Sequence, residues 1–102
     1  MSIYREILEF VRKNGRAVDG FTQITGEKAV YEYLNYLVFV DYCPLNEEDL
    51  IVAIFRWNKG KLIPIYVSKT LYLGAEFIKG VKTTRSLSNP EILKKLLKEW
   101  MS

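Results

Sequence analysis

The sequence predicts a small α+β domain, an internal duplication of an αβββ-like unit followed by one further helix. Three observations carry this. The chain has 102 residues, 49% hydrophobic and 26% charged, the size and balance of one globular core. Apolar residues recur with helical spacing at both ends and with strand spacing between. The chain also matches itself at an offset of 43–44 residues, with Asn46 falling on Asn89, Glu48 on Glu91, Leu50 on Leu93 and Trp57 on Trp100. Ile7 falls likewise on Ile51, Arg12 on Arg56 and Asn14 on Asn58. A shared offset is the mark of a repeat. The expected layout is a single domain over 1–102, with repeat one about 2–44, repeat two about 45–87 and the terminal helix about 89–101.

The first element is a helix over Ser2–Lys13. Ser2 is a good cap, and Ile3, Ile7, Phe10 and Val11 form an apolar stripe. Asn14-Gly15 ends it with residues that tolerate left-handed backbone. Strands are expected over Arg16–Ile24, Lys28–Leu34 and Leu37–Tyr42, although Ala29, Val30, Tyr33, Leu34 and Leu37 also fit a helical face. Tyr, Val and Phe dominate there, which favours strands.

The middle segment opens with Asn46 as a cap and the acidic turn Glu47-Glu48-Asp49. The run Leu50–Phe55 reads as strand by propensity, and periodicity cannot separate a buried strand from a buried helix. The duplication decides for helix, because the counterpart at 89–101 is plainly one. Strands follow over Lys61–Val67, Leu71–Ile78 and Val81–Arg85. In the last helix, Asn89 caps, Pro90 suits the first position, and Leu93, Leu96, Leu97 and Trp100 share one face.

Chemistry is sparse. There is no histidine and one cysteine, Cys43. Ser-His-Asp and Cys-His mechanisms and Cys/His zinc sites are therefore excluded, and no disulfide can form within the chain. Asp19, Glu32 and Asp41 lie in predicted strands without a spacing that joins them in one site. The element order resembles the core of restriction-endonuclease-like nucleases. The required Glu-x-Lys is missing, since Asp41 is followed two positions on by Cys43 and Glu32 by Leu34. No glycine-rich phosphate loop is present. No cofactor is expected.

Charge is uneven. Residues 1–50 carry five Lys/Arg against nine Asp/Glu, a balance of −4, and residues 51–102 carry ten against three, a balance of +7. The two halves can attract each other, favour contact between copies, or draw a polyanion to the basic half. Lys79, Lys82, Arg85, Lys94, Lys95 and Lys98 are the candidate nucleic-acid contacts, with Lys59, Lys61 and Lys69 beside them. Lysines on a helix are equally an ordinary solvated face.

Tyrosine is abundant, with seven residues. Its ring supplies contact area and its hydroxyl a polar tip. Tyr31, Tyr33, Tyr36, Tyr66 and Tyr72 are the candidate partner-binding residues, at the seam between repeats or along a sheet edge. The leading expectation is a non-enzymatic interaction protein that binds a protein or peptide by strand addition. Nucleic-acid binding is the alternative, and a metal-dependent nuclease comes third. The longest apolar runs, Leu37–Val40 and Leu50–Phe55, are too short to span a bilayer. The Met1–Arg5 start lacks the pattern of a signal peptide. No membrane partner is expected.

The stretches Met1–Phe10 and Ala29–Val40, with the Ile/Tyr/Lys-rich composition and absent histidine, resemble the small proteins of filamentous viruses of hyperthermophilic archaea, those of Acidianus among them. The resemblance covers the whole chain and rests on no single motif. It implies a setting in the host-cell cytoplasm and carries no site residues.

Overall fold

The computed structural model describes residues 2–18, 28–71 and 85–102. Helix α1, Ile3–Asn14, opens the chain. Strands β1 (Arg16–Ala17), β2 (Lys28–Tyr33), β3 (Tyr36–Asp41), β4 (Ile51–Asn58) and β5 (Lys61–Val67) follow, and helix α2, Pro90–Met101, comes last. Single 3-10 turns occupy Glu47–Asp49 and Arg85–Ser88. The strands form one antiparallel sheet in chain order, β1-β2-β3-β4-β5. The α+β class is as expected.

Both helices begin as their sequences dictate. The Ser2 hydroxyl accepts the Arg5 N–H at 3.3 Å, and the Asn89 side chain accepts the Glu91 N–H at 3.0 Å. Each satisfies an amide that the first helical turn leaves open. Gly15 ends α1, and its N–H reaches the Val11 carbonyl at 2.8 Å. Its φ of −96° is not left-handed, so the glycine is there for space. A Cβ at this position would lie 2.6 Å from the Glu32 carbonyl oxygen and 2.8 Å from that of Val11.

The two helices cover one face of the sheet. Ile7, Val11, Leu93 and Leu96 from the helices meet Val38, Val40, Ile51, Ile54 and Tyr66 from the strands in one buried cluster. Trp100 fills its end. Its ring stacks on Phe10 at 5.5 Å and receives the edges of Tyr33 and Tyr36 at 5.3 Å each. Such offset and edge contacts are the favoured aromatic geometries.

The middle segment differs from the expected helix. Leu50–Phe55 lies almost wholly in β4, which pairs with β3 on one side and β5 on the other. Ile51-Val52-Ala53-Ile54-Phe55 is rich in branched and aromatic residues. A sheet position buried between two strands rewards such side chains, and here propensity overrides the repeat argument. Asn46 does cap, accepting the Glu48 N–H at 2.9 Å, but the helix it starts is one 3-10 turn. The offset therefore lays a helix on a strand. It also equates Trp100, buried on α2, with Trp57, exposed on β4. The internal duplication is not shown, and with it goes the seam between repeats. The rest of the expected first strand beyond Val18 and the expected strands over 72–84 lie outside the described residues. Arg85 belongs to a 3-10 turn and not to a strand end.

Candidate functional site

The sheet's second face is turned away from the helices. Strand alternation assigns its residues. In β3, Val38 and Val40 are buried beneath the helices, so Leu37 and Phe39 fall on the outer side. Leu37 pairs with Phe55, Phe39 with Ala53, Trp57 with Leu62 and Phe55 with Pro64. Cross-strand partners share a face, so the outer side carries Leu37, Phe39, Phe55, Trp57, Leu62 and Pro64. Phe39 and Phe55 meet edge to face at 5.6 Å.

Exposure grades along this face. Val30 and Ala53 are buried, whereas Trp57 is 41% and Leu62 43% exposed. These two stand opposite one another beside the β4–β5 turn. That turn has positive φ at both central residues, Lys59 at 52° and Gly60 at 78°, the tight hairpin geometry that matches strand twist. The β2–β3 turn lies alongside. Its Asn35 carbonyl accepts the Trp57 N–H at 2.7 Å, and the Asn35 side-chain amide donates to the Trp57 carbonyl at 3.3 Å. Trp57 is thus held at the sheet end by two hairpins, with Leu34 exposed in the neighbouring turn.

The expected tyrosines lie elsewhere. Tyr66 is 1% exposed, inside the helix-covered core. Burial, then the neighbouring Tyr4, pushes its hydroxyl pKa well above the usual value. Tyr31, Tyr33 and Tyr36 pack against the same core. Tyr31 hydrogen-bonds the hydroxyl of Tyr42, and burial together with that bond pushes Tyr42 up to about 12. Tyr36 lines a shallow recess of about 370 Å³ with Arg56, Pro64 and Lys95. Tyr72 is outside the described residues. Tyr31, Tyr33, Tyr36 and Tyr66 therefore serve mainly to pack the core, and Tyr36 also shares a recess with Lys95 of the basic group.

Among the described strands β5 lies at one edge of the sheet, and that edge is blunted. Asn58 and Lys61 flank a two-residue turn, a place where the pair exchanges both backbone hydrogen bonds. Pairs then alternate, so Phe55 and Pro64 form a non-bonded pair. The face of Pro64 that lacks an N–H therefore points away from β4, as edge prolines require. An added strand would find no donor there.

Lys94, Lys95 and Lys98 are exposed on α2 beside Glu91 and Glu99, and Lys94 pairs with Glu91 at 3.1 Å. This is a mixed-sign solvated face. Lys59, Lys61 and Lys69 are exposed as well. Lys79 and Lys82 are outside the described residues, and Arg85 is described only by its backbone. Cys43 is exposed, and its N–H donates to Asp41 Oδ1 at 2.9 Å. No group of three His, Cys, Asp or Glu suited to a metal occurs among the described residues. None of the described helices is long and apolar enough to cross a membrane.

The expected site did not include Trp57 and Leu62. Their signal was present: if 51–58 is strand and Lys59-Gly60 a two-residue turn, Trp57 must face Leu62 across the hairpin. Comparison with family models, curated proteins and solved structures finds no match for the chain.

Proposed function

We propose that this chain is a non-enzymatic interaction protein that binds another protein on the outer sheet face at the β4–β5 end. One observation carries the reading: Trp57 and Leu62 stand exposed side by side, continued inward by Phe55 and Pro64. Exposed apolar patches of this kind mark protein contacts, and tryptophan is enriched where binding energy concentrates. The two hairpins hold Trp57 in place, so little ordering would oppose association. Strand addition is the less favoured mode, because Pro64 interrupts the edge of β5. The resemblance to archaeal viral proteins makes the host cell the setting in which to look for the partner.

The test is affinity capture from host lysate with the full chain and with a Trp57→Ser, Leu62→Ser variant, each with and without nuclease. The reading expects a protein retained by the native chain, lost by the variant and indifferent to nuclease. Loss on nuclease treatment, or on Lys94→Glu with Lys95→Glu, would replace it with nucleic-acid binding. Cleavage of DNA or RNA by the purified chain with added magnesium or manganese would replace it with a nuclease.

A further inference from the structure

Arg56 differs from Arg5, Arg12 and Arg16. Those three are exposed, and each meets a glutamate. Arg56 is half-buried, yet it takes part in no ion pair or side-chain hydrogen bond among the described residues. A guanidinium presents its donors in a fixed planar fork. Drawing it partly out of water with no anion beside it is unfavourable. Its nitrogens are still within reach of solvent, because the buried side-chain atoms without a partner among the described residues belong to Asp49 and Trp100.

Strand alternation fixes where Arg56 points. Phe55 and Trp57 lie on the outer sheet face, so Arg56 between them falls on the helix side. Its cross-strand partner Tyr36 does the same, and the Tyr36 ring meets Trp100 of α2 at 5.3 Å. Arg56 and Tyr36 line the recess of about 370 Å³ from the sheet, and Ile92, Lys95 and Leu96 line it from α2. Its lining is apolar where it meets the core: Leu96 is buried there, and Ile65 and Ile92 pack against the same cluster. The described lining carries two cations, Arg56 and Lys95, and one carboxylate, Glu99. Lys95 and Glu99 stand one turn apart on α2 and offset each other, so Arg56 supplies the net charge.

We infer that this recess binds a monocarboxylate on a short aliphatic body, with the carboxylate on Arg56 and the apolar part against Ile65, Ile92 and Leu96. The guanidinium fork pairs with a carboxylate bidentately, which a lysine cannot do. A single net positive charge matches a monoanion better than a phosphate dianion. Apolar walls with a few placed polar groups are the usual make-up of a ligand site, and this volume lies at the small end of the range. A short body is therefore required. A free short-chain acid presents this chemistry, and so does the C-terminus of a peptide that ends in leucine. The site lies on the helix side of the sheet and does not rest on the outer face of Trp57 and Leu62.

The probe is hexanoate, titrated into the full chain and followed by amide chemical shifts. Tyr36, Arg56, Ile65, Ile92 and Leu96 should shift first. Hexanamide has the same body without the charge and should bind about tenfold more weakly. Inorganic phosphate has charge without the body and should also bind more weakly. Arg56→Gln should fold as the native chain does, since no partner is lost, and bind hexanoate about tenfold more weakly. Arg56→Lys keeps the charge without the fork and should recover only part of the affinity. Acetyl-glycyl-leucine, set beside its amide, separates the two sources: tighter binding than hexanoate identifies a peptide C-terminus, and weaker binding a free acid. Equal binding of hexanoate and hexanamide overturns the inference whether or not Arg56→Gln folds. So do equal binding of phosphate, undiminished binding in Arg56→Gln, shifts confined to the exposed lysines, or no response at millimolar concentration.

Discussion

Asn35 grips Trp57 by both of its backbone polar groups: the Asn35 carbonyl takes the Trp57 N–H at 2.7 Å and the Asn35 side chain gives a hydrogen bond to the Trp57 carbonyl at 3.3 Å. The first bond survives any substitution and the second does not. Asn35→Ala should therefore cost about 0.5–1.5 kcal/mol, read as a lower urea midpoint. It should also loosen Trp57, which the amide exchange rates of Asn35 and Trp57 would report. Unchanged exchange would mean that the side-chain bond does not hold the turn.

The two tryptophans should separate cleanly in solution. Trp100 is buried among Phe10, Tyr33 and Tyr36, whereas Trp57 stands exposed on β4. Trp100→Ala should destabilise by about 3–5 kcal/mol, the usual result of emptying a large aromatic site. Trp57→Ala should cost only about 0.2–1 kcal/mol, the worth of a cross-strand pair. In fluorescence, Trp57 should be quenched readily by acrylamide and Trp100 poorly. Equal quenching in the two single-tryptophan variants would contradict the fold.

Both helices were legible because their signals are local and agree with one another. Ser2 and Asn89 cap, and the last helix buries the expected Leu93, Leu96, Leu97 and Trp100, whereas α1 buries Ile7 and Val11 of its expected stripe together with Tyr4 and Leu8, with Ile3 and Phe10 only partly buried. The β4–β5 hairpin was legible only in part. Lys61–Val67 reads as strand, but its partner was assigned to a helix because Asn46 and Glu48 imitate the start of α2. A cap records where a helix can begin and not how far it runs. What ends the imitation is the run from Ile51 to Phe55, whose preference for a sheet is realised by contacts with β3 and β5 that are distant in sequence. The exposed pair Trp57 and Leu62 falls outside the expected residues for the same reason, since Trp57 gains its outward position from the strand. The tyrosines were identified by composition, which cannot separate a buried hydroxyl such as that of Tyr66 from an exposed one.

Gly15 makes a sharp test of the α1–sheet junction. The two oxygens that a Cβ would strike belong to backbone, at Glu32 and Val11, and cannot rotate aside. Gly15→Ala should destabilise by about 1–3 kcal/mol, the range for forcing an added carbon into packed structure. Gly60→Ala is the control for space, because nothing lies within 4 Å of its Cβ position. Its cost should come from the positive φ instead, at about 1–2 kcal/mol. The two variants separate in hydrogen exchange, where only Gly15→Ala should loosen the amides of Arg16 and Glu32. Full retention of stability in Gly15→Ala would show that α1 can move off the sheet.

Alkaline pH should unfold the domain through its buried tyrosines. Burial raises the Tyr66 hydroxyl above its ordinary value, and the neighbouring Tyr4 and its hydrogen bond raise it further. Burial likewise raises Tyr4. In the unfolded chain these groups ionise near pH 10, while in the folded chain they keep their protons to higher pH. Above about pH 10 the unfolded state therefore binds fewer protons than the folded one, and stability must fall as pH rises. Below that pH the contribution is fully present. The urea midpoint should be level from neutrality to about pH 9 and then decline, with a slope from one buried tyrosine approaching about 1.4 kcal/mol per pH unit. Tyr66→Phe should lower stability at neutral pH by about 1 kcal/mol through the lost hydrogen bond, yet decline less steeply above pH 10. Ultraviolet absorbance of the native chain should register a tyrosine that ionises only together with unfolding. A Tyr66→Phe variant that declines as steeply as the native chain would assign the alkaline transition to other groups.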